Sequence, residues 1–332
     1  KKIAYPGDIL LSVRAPVGPT NIANIECCIG RGLAAIRPNL KYTLKNYLLY
    51  YFRNFELEIS KKGRGSTFGA ITKNALQESI IPIPPIPEQK RIVAKIDSLF
   101  AKIDKAIELT EESLKLAENL MPSVLKQVFD KVKAEGWEWK KLEDVADVIG
   151  GGTPKTKISE YWDGDIVWLS PVDLPPIGVI SVVSNSRKKI TELALQKSSA
   201  KLLPKGSVVY STRASIGKIA VTEVSLSTNQ GFTNFICHEE LNNRFLCYCL
   251  KHFNRIIESL SNSTTFKEVS KSNIKTFKIP IPPIEKQKKI IIKLDKISIE
   301  SENAKQKLKD QSIHLKNLKS SILSKAFSGE LL

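Results

Sequence analysis

Most of this chain is written twice. Pro6-Gly7-Asp8-Ile9-Leu10-Leu11-Ser12-Val13-Arg14-Ala15 returns as Lys205-Gly206-Ser207-Val208-Val209-Tyr210-Ser211-Thr212-Arg213-Ala214, and Gly7, Arg14, Gly18 and Gly32 recur 199 positions later as Gly206, Arg213, Gly217 and Gly231. The run Ile81-Pro82-Ile83-Pro84-Pro85-Ile86 reappears unchanged 198 positions later as Ile279-Pro280-Ile281-Pro282-Pro283-Ile284. Gln89, Asp97, Leu120, Leu125 and Phe129 follow at that spacing as Gln287, Asp295, Leu318, Leu323 and Phe327. A match of this length, almost without gaps, is a duplication, and it requires one supersecondary unit to be built twice.

Each copy has two parts. The first holds short β-branched runs bounded by Gly, Pro and Asn, such as Gly206–Tyr210 and Lys218–Val221, which read as strands of a compact mixed α/β body. The prolines of the repeated run forbid helix and impose an extended entry. A long helical pattern then begins. Its seam in the first copy is Ile92, Ile96, Leu99, Ile103, Ala106 and Thr110, and it continues after a one-residue slip through Leu114, Ala117, Met121, Val124 and Val128. In the second copy the spacing selects Leu294, Ile297, Ser301, Ala304, Leu308, Gln311, Leu315, Leu318 and Ile322. Steps of three and four over this length predict coiled-coil packing, with Pro122 expected to kink or restart the first helix.

The predicted fold class is therefore α+β: two mixed α/β domains separated by a pair of long antiparallel coiled-coil helices, with an internal pseudo-twofold repeat. The expected division is 1–87, first domain; 88–135, first helical spacer; 136–284, second domain; 285–332, second helical spacer. If the helices pair they run antiparallel, with the two bodies at opposite ends. The second copy carries a leader, residues 136–200, that has no counterpart before Lys1, so subtraction predicts that about 65 residues of the first domain lie outside this numbering.

The net charge of +17 is unevenly spread: +7 over 1–87, zero over 88–135, +5 over 136–284 and +5 over 285–332. Cationic bodies joined by a neutral first helix suit nucleic acid, whose binding releases condensed counterions. No apolar run approaches the ~18 residues of a membrane span, so no membrane partner is expected. The five cysteines, Cys27, Cys28, Cys237, Cys247 and Cys249, have neither disulfide nor zinc spacing, and read as reduced core thiols in a cytoplasmic protein. His238, His252 and His314 form no ligand cluster in the sequence.

Catalytic signatures are not evident. Gly150-Gly151-Gly152-Thr153-Pro154-Lys155-Thr156 superficially resembles a phosphate-binding loop, but Pro154 stands where a glycine N–H is needed before the lysine. A glycine turn presenting Lys155 and Lys157 is the better reading. Asp173-Leu174-Pro175-Pro176-Ile177 lacks the aromatic of an amino-methyltransferase motif. No G-x-G-x-x-G follows a strand, so no S-adenosylmethionine or dinucleotide fold is signalled.

Several strings together carry a specific resemblance: Gly136-Trp137-Glu138-Trp139-Lys140-Lys141-Leu142, Gly151-Gly152-Thr153-Pro154, Ser211-Thr212-Arg213-Ala214-Ser215-Ile216-Gly217-Lys218, the doubled proline entry with Gln89 and Gln287, and the closing Ile322-Leu323-Ser324-Lys325-Ala326-Phe327-Ser328-Gly329-Glu330-Leu331. In this order they resemble the specificity subunit of type I restriction–modification systems, over essentially the whole chain. The resemblance implies two target-recognition domains, each reading half of an asymmetric bipartite site in double-stranded DNA, with the helical pair as a ruler for the spacer. It implies two modification subunits that bring S-adenosylmethionine and methyl transfer, and a restriction subunit that uses ATP and Mg. It implies no cofactor and no catalytic residue in this chain. The alternatives are a methyltransferase fragment whose catalytic part lies elsewhere, and a coiled-coil scaffold with no DNA role.

DNA reading needs cations to hold the phosphates and planar donors for base edges. The candidates are Arg14, Lys61, Lys62, Arg64 and Lys73 in the first copy, and Lys155, Lys157, Arg187, Lys188, Lys189, Arg213, Lys218 and Lys267 in the second. Lys61-Lys62-Gly63-Arg64-Gly65-Ser66-Thr67-Phe68 reads as a basic glycine loop; it aligns with the uncharged Ser261-Asn262-Ser263-Thr264-Thr265-Phe266, which predicts different target sequences for the two domains. Arg14 and Arg213, present in both copies, suit a structural ion pair equally well.

Overall fold

The computed structural model describes residues 2–14, 16–62, 71–132, 134–261 and 267–331. The chain divides into two compact units, residues 1–116 with 304–332 and residues 117–303. Each long helix contributes a stretch to both.

In the first unit β1 (Ile3–Ala4), β2 (Ile9–Ser12), β3 (Thr20–Ile22), β4 (Cys27–Cys28) and β5 (Leu33–Ile36) precede α1 (Lys45–Lys62), α2 (Lys73–Gln77) and α3 (Ile86–Phe129). β2 is the middle of a three-stranded antiparallel sheet in the order β3-β2-β5, and β1 pairs with β4. Ile9 and Leu11 point from β2 onto Leu48, Leu49 and Phe52 of α1, all buried.

The second unit is larger: β6 (Glu138–Lys141), α4 (Leu142–Val145), β7 (Ala146–Gly150), β8 (Trp162–Leu169), β9 (Ile180–Val183), β10 (Lys188–Ile190), α5 (Glu192–Lys197), β11 (Val208–Ser211), β12 (Ile219–Thr222), β13 (Ser227–Thr228), β14 (Phe232–Cys237), α6 (Asn243–Ser259), α7 (Lys271–Thr276), β15 (Lys278–Ile281) and α8 (Ile284–Ser328). Its five-stranded sheet has the order β7-β14-β11-β12-β9, flanked by β10-β8-β13 and by β15-β6. β11 and β12 read as near-continuous β-branched runs because both their faces are covered. Val208 and Tyr210 join the core formed with α6, while Val209 and Ala220 join a second core with Leu169 and Leu203. The α6 helix starts at Asn242, whose side chain accepts from the N–H groups of Arg244 and Phe245, and its inner face buries Phe245, Leu246, Tyr248, Cys249 and Phe253.

The duplication extends to single backbone pairs. Ile9 faces Ile22 and Ile36; 199 positions on, Val208 faces Val221 and Phe235. Ala4 pairs with Cys27 as Leu203 does with Leu226. Gly18 and Gly217 adopt φ of +117° and +108°, and a Cβ there would strike the side chains of Glu56 and Asn254. Only glycine fits.

The seam holds along the first helix: Ile92, Ile96, Ile103, Thr110 and Met121 are buried, and Leu99, Ala106, Leu114, Ala117, Val124 and Val128 are half-buried. Pro122 lies inside α3, whose helical residues continue past it to Phe129, so the helix does not restart there. In α8, Leu294 and Ser301 are buried and Ile297, Ala304, Leu308 and Leu315 half-buried, as expected. Leu318 is a correction: it is 47% exposed, and Gln311 is exposed too. The inward face runs instead through Leu308, Ser312, Leu315, Lys319, Ile322 and Ala326. After Leu308 the second helix makes the same one-residue slip that the first makes after Thr110, 198 positions earlier, a local unwinding of the heptad geometry. Lys319 occupies the inward site by lying over the Phe100 ring at 5.0 Å while its ammonium pairs with Asp104.

Within each unit the helix stretches run antiparallel. In the first, Lys319 meets Asp104, while Phe327, further along α8, packs on Tyr47, whose hydroxyl reaches the Pro82 carbonyl before α3 begins. In the second, Ser301 donates to the Ala117 carbonyl at 3.0 Å, and Lys286 pairs with Glu135 at 3.0 Å. Cys247 and Cys249 are buried, and Cys237 is half-buried with its thiol pushed up to about 12 by desolvation. Cys28 corrects the expectation of core thiols throughout: it is exposed on the edge pair β1-β4.

Candidate nucleic-acid interface

One end of the five-stranded sheet gathers most of the second unit's candidates. There β7 ends, β11 ends and β14 begins: Gly150 pairs with Thr233, and Ser211 with Phe232. The connections made at this end are 151–157, 212–218 and 229–231.

The glycine run is packed, not open. The Gly151 N–H donates to the Phe232 carbonyl at 3.2 Å and the Gly152 N–H to that of Thr228 at 2.8 Å. A Cβ at either glycine would fall within 2.5 Å of a neighbouring atom, Asn229 O for Gly151 and Ser199 C for Gly152. These amides are occupied, so the run is the tight turn read from Pro154 and not a phosphate cradle. Beyond it Lys155 and Lys157 are exposed. The Lys155 carbonyl accepts from the Trp162 indole, Trp168 donates to the Gly152 carbonyl at 3.0 Å, and the Lys188 ammonium sits 5.3 Å over the Trp162 ring. The two tryptophans, edge to face at 5.2 Å, thus brace the β8-β10 ribbon carrying Lys188 and Lys189 beside the turn.

Arg187 donates to Asp173 at 3.0 Å. Burial alone would raise the Asp173 carboxyl, but hydrogen bonds from Ser170 and Arg187 outweigh it and hold the group below the usual range. Lys218 is half-buried, and its ammonium donates to the carbonyls of Pro171 and Leu174 at 2.6 and 3.0 Å. Its contact is with the 171–174 loop, which it ties to β12. Arg213 lies 3.6 Å from Glu268 with both side chains about half exposed, and Lys267 pairs with Glu258 at 2.7 Å. Both are surface pairs of small worth, readily exchanged for another anion.

The first unit repeats the frame. The Val13 N–H donates to the Gly32 carbonyl at 2.9 Å, as Thr212 does to Gly231 at 2.8 Å; Ile71 donates to Val13 at 2.8 Å, as Val269 does to Thr212 at 2.9 Å. Arg14 is exposed on this frame and lines one cleft with Lys2 and Arg31. Lys61 and Lys62 close α1 instead of opening a glycine loop, and Lys73 opens α2. Arg64, and the rest of the glycine stretch, lies outside the described residues.

Among the described residues no group of three or more His, Cys, Asp or Glu side chains is placed to hold a metal ion, and no helix is long and apolar enough to cross a membrane. Sequence reasoning passes over Arg31, Gln230 and Thr153. Gln230 is exposed at the tip of the 229–231 turn and accepts from the Thr153 hydroxyl. The signal that would have found Arg31 and Gln230 is the 199-residue offset itself, which aligns the two; Thr153 lies in the 136–200 segment, where that offset aligns nothing.

Comparison with known families decides what this frame is. The model for the type I restriction modification DNA specificity domain matches residues 1–115 and again 134–310. The chain belongs to that family. Among specificity subunits, a type I restriction enzyme subunit of Methanocaldococcus jannaschii, MjaIX, is 39% identical over 156 residues, covering 46% of this chain and 36% of that protein. The EcoR124I/EcoR124II specificity subunit of Escherichia coli is 27% identical over 270 residues, covering 76% of this chain and 63% of its own length. The chain thus spans between about a third and two thirds of these curated specificity subunits. Among solved structures, a chain from work on complex assembly and conformational transition of a type I restriction–modification system superposes with TM-score 0.80 at 27% identity, covering 99% of this chain and 84% of that one. The HsdS subunit of Thermoanaerobacter tengcongensis gives 0.66 at 26% identity, covering 99% and 82%. The two matched segments of the specificity-domain model correspond to the two copies seen in the sequence.

Proposed function

We propose that this specificity-domain chain is the DNA sequence-recognition subunit of a type I restriction–modification complex, and that it carries no catalytic centre of its own. The observation that carries the proposal is the duplicated frame: two sheet ends with the same backbone hydrogen bonds present different exposed side chains, which is what reading two unlike half-sites demands. Around the second frame Lys155, Lys157, Lys188 and Lys189 are exposed, and no acidic partner is found for them among the described residues; they are suited to position phosphates. In this reading each unit takes one half of a bipartite double-stranded site, and the helical pair sets the length of the spacer. Two modification subunits supply S-adenosylmethionine and methyl transfer, and a restriction subunit supplies ATP- and Mg-dependent chemistry, all in the cytoplasm.

The test is methylation of a randomised duplex library by the chain with and without its modification subunits. The expected result is no transfer by the chain alone, a bipartite modified motif from the complex, and affinity that falls steeply with salt. Transfer by the chain alone would make it a methyltransferase. Salt-insensitive behaviour with no selected sequence would make it a scaffold.

A further inference from the structure

Positions 31 and 230 hold the same place in the two frames and carry different planar side chains. Each is the second residue of a four-residue turn that leads into a sheet strand: the Leu33 N–H donates to the Gly30 carbonyl at 3.2 Å, and the Phe232 N–H to the Asn229 carbonyl at 3.2 Å. The third turn residue, Gly32 or Gly231, is held by the adjoining loop through the hydrogen bonds from Val13 and Thr212. The backbone is therefore common to both units and is fixed by the sheet behind it. Of the two side chains at the tip, one is a guanidinium and the other a carboxamide, and both are exposed.

We propose that Arg31 and Gln230 are the base-reading residues of the two units, Arg31 addressing a guanine in one half-site and Gln230 an adenine in the other. This rests on the reading of the chain as a DNA-recognition subunit. The chemistry is that of paired donors and acceptors: a guanidinium fork matches guanine O6 and N7, and a carboxamide matches adenine N6 and N7. Gln230 is pre-oriented for the task. Thr153 donates to its Oε1, which leaves the second lone pair of that oxygen and both N–H groups for a base edge. Lys155 follows Thr153 by two residues and Arg213 follows Thr212, so cations flank the amide where phosphates would run. Arg31 shares its cleft with Arg14 and Lys2, a second set of cations around one planar group. A side chain that only neutralised phosphate would gain nothing from being Gln in one copy. A side chain that only packed would not be exposed in both.

The experiment compares methylated motifs produced by the complete complex with wild-type chain and with four variants. Arg31→Ala should relax one guanine position of one half-site, lowering discrimination there by roughly 5- to 150-fold and leaving the other half-site unchanged. Arg31→Gln, which installs the carboxamide of the other copy, should move the preference at that position from guanine towards adenine. Gln230→Ala should relax one adenine in the other half-site, and Gln230→Glu, nearly the same size, should move the preference there from adenine to cytosine. An unchanged motif in both Arg31→Gln and Gln230→Glu, or a uniform loss of methylation with the motif preserved, overturns the assignment. A wild-type complex that yields no motif instead takes down the DNA-recognition reading beneath it.

Discussion

The side chain of Gln287 accepts a hydrogen bond from the backbone N–H of Asn242 at 2.9 Å, and with its own amide donates to the carbonyls of Glu240 and Pro282 at 2.7 and 2.9 Å. Gln89 repeats the clasp on Leu44, Tyr42 and Pro84, each at 2.8 Å, and both side chains are fully buried. Eight residues on, the same helices present Asp97 to the Tyr50 hydroxyl and Asp295 to Tyr248 and Arg244. Each body is thus fastened to its own long helix by two polar contacts about two turns apart.

Cutting that clasp should be costly. Gln287→Ala leaves a buried N–H and two carbonyls without partners, and is expected to destabilise its unit by about 2–4 kcal/mol. Urea unfolding followed by circular dichroism checks it, and a loss too small to measure would mean that water replaces the amide.

The slipped seam makes a sharper comparison. Ile322 is 7% exposed and Leu318 is 47% exposed, four positions apart on one helix. Ile322→Ala should cost about 2–4 kcal/mol through its cavity, whereas Leu318→Ala should stay within about 0.5 kcal/mol. Equal losses in thermal melts would restore the uninterrupted heptad.

Acid should loosen the first unit through Asp8. Its carboxylate receives two hydrogen bonds from Arg37 at 2.8 Å and one from the Tyr5 N–H at 2.9 Å. The Arg37 hydrogen bonds hold its pKa below the ordinary 3.8. A lowered folded-state value means that the stabilisation is complete above the unfolded value and is lost as pH falls through the folded one. Unfolding midpoints measured between about pH 6 and about pH 3 should therefore drop less in Asp8→Asn than in the wild type. The equivalent position in the second unit is Ser207, which donates to the Pro204 carbonyl and does not titrate in this range.

Spacer length should follow the helices. Inserting or deleting one heptad in both α3 and α8 is expected to change the number of base pairs between the half-sites while leaving their sequences as they were. Sequencing of the modified motif reads both at once, and altered half-sites would end the proposed division of labour.

The duplication, the entry of each helix after its prolines, the strands flanking Gly206 and Lys218, and the first helical seam are all legible in the residues, because proline geometry, β-branching and the helical period act within a few residues of one another. Pro154 likewise rules out a phosphate cradle. Long-range packing was needed to put Leu318 in water and the stem of Lys319 over Phe100, since this lysine turns inward where an aromatic ring and a carboxylate from the other helix meet it. Packing of that range also holds Lys218 by two carbonyls and leaves Lys155 and Lys188 exposed, for three cations that look alike in a sequence differ only in what the folded chain brings to them.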